Sequence, residues 1–381
     1  MNNNLISILY HIIHPEATKE TPIVLQDVFS LFKFHSLEPF LYYANKNKLL
    51  ICTKEEELKL EKLYQTAVFK TATQEEELKL IKQTLSNHDV AFLPIKGPWV
   101  RKFYPSPELR TMADLDILIP KKQLKEVKKM MNSIGYTNTH EGGNHDVYHK
   151  KPFMNVEMHR NMIDESYVLS KYYHNIWDKV IKLEETSECS LTNEDHYLFI
   201  IAHSAKHFGV GGTGVRSVLD VYFCLQHLND LNQDYLSQEL SKLNLTEYEK
   251  RLKHLALGWF DGKPLSEEDC LMGDYLLKSG VYGTTSHAVA SELLSTDSVK
   301  SLTYKKWKYL WIRAFPSFQF MKRRYPSLRV LFLLLPFYYL YRLFSGLITG
   351  KVTAQTKKIK QVNQENLDSN KIIKGQTGVK K

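Results

Sequence analysis

Between Ile23 and His88 apolar residues recur at helical spacing, through VLQDVFSLFKFHSLEPFLYYANK and the highly charged KEEELKLEKLYQTAVFKTATQEEELKLIKQTLSNH, so this part of the chain predicts helices. The hexapeptide EEELKL begins at both Glu55 and Glu75. That offset is not a whole number of turns at ~3.6 residues per turn, so the copies face different ways and make no structural repeat. At VAFLPIKG the texture changes to a short apolar run ending in Gly97, which predicts a buried strand and a turn. PWVRKFY predicts a short helix opened by Pro98, where helices tolerate proline. DLDILIP then predicts a second strand. KKQLKEVKKMMNSIGY predicts a helix with apolar Leu124, Val127, Met130, Met131 and Ile134, ending at Gly135, and HDVYHKK and FMNVEMHR predict two more strands. From Asn161 onward the pattern is again helical, through NEDHYLFIIAHSAKHF, VRSVLDVYFCLQHL, LNLTEYEKRLKHLALGWFDG and LSEEDCLMGDYLLKSG.

The expected class is therefore α+β, with a small mixed sheet between two helical segments. A chain of 381 residues has room for two or three domains. The pattern divides it into an N-terminal helical segment at 1–90, a sheet core at 91–160 and a helical domain at 161–300. Basic, aromatic and hydrophobic helices follow at 301–350, and then a disordered basic tail at 351–381.

Composition narrows the class. With 43% hydrophobic and 24% charged residues, the chain is expected neither to be wholly disordered nor to cross a membrane many times. Cys52, Cys189, Cys224 and Cys270 are scattered without metal-ligand or disulfide spacing, which fits a reducing, cytoplasmic setting. The start lacks a basic n-region, and His11 and His14 interrupt its apolar stretch, so it reads as a helix of the mature protein. A formal charge of +9 favours anions such as phosphates, nucleic acid or acidic lipid headgroups. Much of that excess lies near the C-terminus, where KKWKYLWIRAFPSFQFMKRRYPSLR interleaves basic and aromatic residues. VLFLLLPFYYLYRLFSGLIT approaches spanning length but is interrupted by Pro336 and Arg342. It is expected to dock on the protein's own helices or to lie in a membrane interface as a peripheral contact.

The chemistry centres on DLDILIP. A strand alternates faces, so Asp114 and Asp116 point the same way, and in FMNVEMHR the same rule puts Asn155, Glu157 and His159 on one face. If the two strands are neighbours, three carboxylates converge. Such a cluster needs a cation, and hard oxygen ligands suit Mg²⁺ or Mn²⁺ that also bind substrate phosphates. Removing one acid, as in Asp116→Asn, is expected to relieve repulsion in the metal-free cluster.

LPIKG, FYPSPELRTMADLDILIP, NVEMHR, AHSAKHF and VRSVLDV, in this order, resemble the uncharacterised nucleotidyltransferases of the polymerase-β-like superfamily. The resemblance runs from about Ile23 to Asp230. It implies a nucleotidyltransferase-type sheet and metal-dependent transfer of a nucleoside monophosphate from NTP to an unknown acceptor hydroxyl. It also implies Asp114, Asp116 and Glu157 as catalytic metal ligands and Gly97 at the phosphate turn. The superfamily's turn glycine is usually followed by serine; here Pro98 follows instead, and Lys96 is expected to supply the missing phosphate contact as a point charge. The departure leaves room for a non-catalytic binding or regulatory protein built on the same fold.

Further residues fall around this core. Arg110 stands four residues before Asp114 and is expected to contact phosphate or to orient a carboxylate through its fork. His159 shares the face of Glu157 and is expected to reach substrate. His203 and His207 lie four apart on one helix face, but Ser204 stands where a HExxH zinc motif needs glutamate. The resemblance implies a site wall there, with His207 facing nucleotide or acceptor; a buried, satisfied pair is the alternative. Arg216 and Asp220 have the spacing to pair across one helical turn. GVGGTGV follows a helix and lacks the Gly-Lys-Ser/Thr of a Walker loop, so it reads as an interhelical turn that could serve as a lid.

Overall fold

The computed structural model describes residues 4–18, 21–281, 283 and 301–348, with positions 359, 371, 372, 375 and 377–379 beyond them. The chain opens with helix α1 (Asn4–Ile13), followed by a two-residue strand β1 (Ile23–Val24), α2 (Leu25–Phe34) and α3 (Glu38–Lys46). Strand β2 (Leu50–Ile51) pairs in parallel with β1. Helix α4 (Lys54–Ser86) carries both EEELKL copies. It starts at a capping box in which Thr53 accepts from the Glu56 amide and Glu56 accepts from the Thr53 amide.

The sheet follows. Its strands are β3 (Leu93–Pro94), β4 (Leu115–Leu118), β5 (Thr137–His140), β6 (His145–Lys150) and β7 (Met154–His159), in spatial order β3-β4-β7-β6-β5. Between them lie a single turn of helix, α5 (Gly97–Val100), extended by a 3-10 turn over Arg101–Phe103, and α6 (Leu124–Ser133). β4 and β7 are parallel, and the remaining pairs are antiparallel, so the sheet is mixed as the pattern predicts. Pro94 sits on an edge strand, the place in a sheet where a missing N–H is tolerated. β5 is the strand the hydrophobic pattern does not show: TNTH has no apolar alternation, and its mostly exposed residues are recruited by backbone pairing to β6.

Helical structure does not resume at Asn161 as the pattern predicts. Residues 161–192 are irregular, with 3-10 turns at Val168–Lys171 and Ile176–Asp178 and a small antiparallel pair of β8 (Ile181–Lys182) and β9 (Cys189–Ser190). Tyr173 and Ile176 anchor this segment in the core, so periodic apolar spacing there reflects anchoring and not a helix. Helices then follow from α7 (Asn193–Val210), capped by Thr192, through α8 (Val215–His227), α9 (Gln233–Leu243), α10 (Thr246–Phe260) and α11 (Glu267–Ser279). At the C-terminal side lie α12 (Leu302–Ala314), α13 (Phe318–Arg324) and α14 (Leu335–Ile348). Almost all of the expected disordered tail at 351–381 lies outside the described residues.

Two cores hold these elements. The larger joins α1–α3 to α7–α11, with Leu9, Phe32 and Phe40 packed in one cluster with Phe208, Tyr248 and Phe260. The smaller covers one face of the sheet, where Leu115, Ile117, Val156 and Met158 meet Ile81 and Leu85 of α4 and Val127 and Met131 of α6. Alternation therefore sends the other residues of β4 and β7 to the opposite face. That face looks across a cleft at α7 and α8.

Candidate active site

The acid face is built by register. Asp116 stands directly opposite Glu157 across the parallel β4–β7 pair, and His145 stands opposite His159 across the antiparallel β6–β7 pair. Asp114 lies one residue before β4 and turns into the same cleft. His159 Nε2 is 2.5 Å from Asp116 Oδ1 and 3.3 Å from Glu157 Oε2, so these carboxylates are within about 6 Å of each other, inside the span that one or two metal ions bridge.

The turn before the acids is placed by β3. The Ile95 amide donates to the Asp116 carbonyl at 3.0 Å, and Lys96 Nζ reaches Asp116 Oδ1 at 2.9 Å. Lys96 holds this position with φ 57° and ψ −109°, a backbone conformation costly for any residue with a side chain and typical of functional sites. At Gly97 a Cβ would stand 2.2 Å from Met112 Sδ, so a larger residue would push on the segment that carries Asp114.

Charge at the site is unevenly compensated. Burial would raise the Asp116 carboxyl, but the Lys96 ammonium and the His159 ring outweigh it and hold the group well below the usual carboxylate range. At Asp114 burial and the neighbouring charges of Asp116 and Glu157 push the carboxyl up to about 6, and the same Lys96 and His159, which also favour the charged form there, are outweighed. For Glu157, burial is outweighed by the His159 hydrogen bond, and its pKa falls. His159 is itself raised, because hydrogen bonds to Asp116 and Glu157 overcome the burial that disfavours its charge, whereas burial lowers His145. An acid destabilised by two neighbouring acids is the signature expected where a divalent cation belongs, and the oxygen donors are of the kind Mg²⁺ or Mn²⁺ takes. His145, Glu157 and His159 also offer ligand atoms within 4.8 Å of one another. The donor set thus fits a divalent ion.

The facing wall is basic. His203, Lys206 and His207 share one face of α7 and line the cleft together with Thr213 of the glycine turn and Arg216 of α8. His203 and the solvent-exposed His207 meet Nε2 to Nε2 at 3.2 Å, and desolvation by the cleft walls together with the ammonium groups of Lys206 and Lys96 disfavours the charged form of both. Burial, reinforced by Lys96, pushes the Lys206 ammonium down to about 8. The cleft between the walls encloses about 460 Å³, within the roughly 300–1,000 Å³ of ligand sites.

Lys96, Gly97, Arg110, Asp114, Asp116, Glu157, His159 and His207 all line this one cleft. Of the two uses expected of Arg110, the fork on a carboxylate is the one seen. Arg110 directs its fork at Asp220 of α8, with Nε to Oδ1 at 2.7 Å and Nη2 to Oδ2 at 2.9 Å, while Tyr104 Oη donates to the same carboxylate at 2.6 Å. Asp220 is thus gripped from the loop before β4, and Arg216 Nη1 donates across to the Thr111 carbonyl at 3.2 Å. Lys206 and His145 were not singled out by the sequence. The signal for Lys206 was present, since it follows His203 by three positions on the same helix face. His145 becomes visible only through the β6–β7 register.

Residues 22–261 match the family described as uncharacterised nucleotidyltransferases, which covers more than half of the chain. The chain belongs to this family. No curated protein and no solved structure matches it significantly. In this member of the family the cleft sets acids on the sheet side against cations on the helix side.

Proposed function

We propose that the cleft transfers a nucleoside monophosphate from NTP to an acceptor hydroxyl, with Asp114, Asp116 and Glu157 holding one or two Mg²⁺ or Mn²⁺ ions. The observation that carries this reading is the Asp116–Glu157 register pair with Asp114 beside it, facing Lys206 across an open cleft. A divalent ion bound there would supply charge to the attacking oxygen and to the leaving pyrophosphate. Lys96 and Lys206 neutralise the phosphates, and His207 lines the nucleotide or acceptor side. Glu157 receives the proton of the acceptor hydroxyl as its oxygen bonds to the α-phosphorus and the bond to pyrophosphate breaks. His159, between Asp116 and Glu157, fixes the direction of both carboxylates, and Arg110 acts as a positioning residue through Asp220.

The test is release of labelled pyrophosphate from each NTP with Mg²⁺ or Mn²⁺, screened against hydroxyl-bearing small molecules, glycan precursors, proteins and RNA. Release by the wild type and none by Asp116→Asn is the expected result. A second reading rests on Lys96. Its ammonium already occupies Asp116 Oδ1, and the turn has no serine hydroxyl, which would suit a protein that binds nucleotide without turning it over. NTP binding at the same affinity in the presence and absence of divalent ion, with no pyrophosphate under any condition, would favour it.

A further inference from the structure

The charge of this chain is divided between two regions. Residues 1–300 carry 34 Lys and Arg against 40 Asp and Glu, whereas the residues after Lys300 carry 17 Lys and Arg against two acids. Between positions 301 and 348 there are nine Lys and Arg and no acid at all. The formal charge of +9 is therefore the difference between an acidic body and a strongly basic C-terminal region.

The same region turns its large apolar side chains outward. On α14, Phe337, Leu340, Tyr341 and Phe344 follow the i, i+3, i+4, i+7 spacing of one helix stripe, and that stripe is exposed, with Phe337 at 67% and Phe344 at 63%. On α12 the exposed residues include Trp307 and Trp311, whose rings stack at 5.4 Å. Leu333, in the turn before α14, is 77% exposed. The two helices hold each other through Phe315 and Tyr339, with ring centroids 5.5 Å apart, and Tyr339 Oη donates to the Pro316 carbonyl at 2.7 Å. This is an amphipathic pair with its apolar side facing solvent.

We infer that α12 and α14 form an in-plane anchor for an anionic membrane surface. The stripe would enter the headgroup boundary, Trp307 and Trp311 would sit at the interface, and the partly exposed Lys306 and Lys308 beside them would face anionic lipid. The helices have 13 and 14 residues, about 20 Å at 1.5 Å per residue, against a hydrocarbon core of about 30 Å. Accordingly, among the described residues no helix is long and apolar enough to cross a membrane. Charge argues against a second copy as the occupant, since two such faces repel. The aliphatic run at Val330, Leu331 and Leu333–Leu335 argues against nucleic acid, which stacks on aromatic platforms and gains little from exposed leucine. The acidic body and basic anchor also fix orientation, because an anionic surface attracts one and repels the other.

Vesicle flotation of the full chain tests this without any nucleotide, so it stands apart from the transferase assay. Vesicles of phosphatidylcholine with about one-third phosphatidylglycerol, in about 0.15 M salt, are compared with phosphatidylcholine alone. The wild type is expected to float with the anionic vesicles and to bind neutral ones at least about tenfold more weakly. Phe337→Asp combined with Phe344→Asp is expected to lose at least about tenfold in affinity with an unchanged melting temperature, and Lys306→Gln with Lys308→Gln to weaken binding to the anionic vesicles alone. Failure of the wild type to float, or full flotation of the double aspartate variant, overturns the inference. So does single-stranded RNA bound more tightly than anionic vesicles, or self-association that the aspartate variant abolishes while the wild type ignores vesicles.

Discussion

Arg110 and Asp220, 110 residues apart in the chain, form a two-point ion pair in which both edges of the guanidinium fork are engaged at 2.7 and 2.9 Å. The pair fastens the loop that leads into Asp114 to α8, which contributes Arg216 to the basic wall. Together with the Tyr104–Asp220 and Arg216–Thr111 hydrogen bonds, this buried contact ties the two sides of the cleft.

Breaking that contact leaves a buried charge without its partner. Arg110→Ala should therefore destabilise the protein by about 3–5 kcal/mol, and Arg110→Lys, which keeps the charge but loses the fork, by a smaller amount. Urea unfolding followed by circular dichroism reads both. A cost below about 1 kcal/mol for Arg110→Ala would show that the pair is solvated and does not hold the walls.

The two strand acids should respond in opposite ways to neutralisation. From the sequence, repulsion is expected to be relieved at Asp116; the structure moves that relief to Asp114. Asp116 has Lys96 and His159 on one oxygen, so Asp116→Asn removes attractive partners and should lower metal-free stability. Asp114→Asn should raise it by about 1–3 kcal/mol at pH 7, because its carboxyl is held near pH 6 by burial and by its neighbours. Both variants should lose pyrophosphate release. Thermal melts in chelator give the sign, and equal shifts for the two would refute the asymmetry.

Lys96→Ala and Lys206→Ala should each weaken NTP binding. A charge-assisted contact to phosphate contributes about 1.5–3 kcal/mol, roughly a ten- to hundredfold loss of affinity. Isothermal titration with a non-hydrolysable NTP and Mg²⁺ measures it. Unchanged affinity would assign Lys96 to Asp116 alone, or Lys206 to its cation–π position over Tyr167 alone.

Buried histidines should make the fold sensitive to mild acid. His35 is fully buried, bonded to the Leu277 carbonyl at 3.1 Å and to the Val215 amide at 3.3 Å, and burial pushes it down to about 4. His196, stacked on Trp99, is pushed down to about 3 by burial and Lys102. As pH falls below about 6.5 the unfolded chain takes up protons that the native state refuses, so stability is full above that value and declines toward pH 4. The His35 share of the decline is up to about 3 kcal/mol. Denaturation at pH 7.5 and pH 5 should show the loss, and His35→Gln should flatten it; an unaltered slope would place the protonation elsewhere.

Strand alternation acts locally, so the shared face of Asp114 and Asp116 and the face of Glu157 were legible in the sequence, while their meeting depended on β4 and β7 being neighbours. Pairing partners are set by the whole sheet, which is why His145 and the polar strand β5 stayed hidden. Arg110 shows the same limit from another side. Its bidentate use was legible in its chemistry, but its target was not, since Asp220 arrives from a helix more than a hundred residues later. The segment after Asn161 shows the opposite error, in which apolar anchors of an irregular chain imitate helical spacing.

The larger core has a consequence for synthesis on the ribosome. His14 Nε2 contacts the Phe260 carbonyl at 2.6 Å across 246 residues, and α1 packs on α10. At about 5–20 residues per second the first helices wait for tens of seconds before their partners emerge. The sheet and its covering helices α4 and α6 are complete much earlier and can close while the apolar faces of α1–α3 are still bare. Nascent chains stalled between Arg160 and Phe260 should therefore combine a protease-resistant sheet with an N-terminus that recruits holding chaperones.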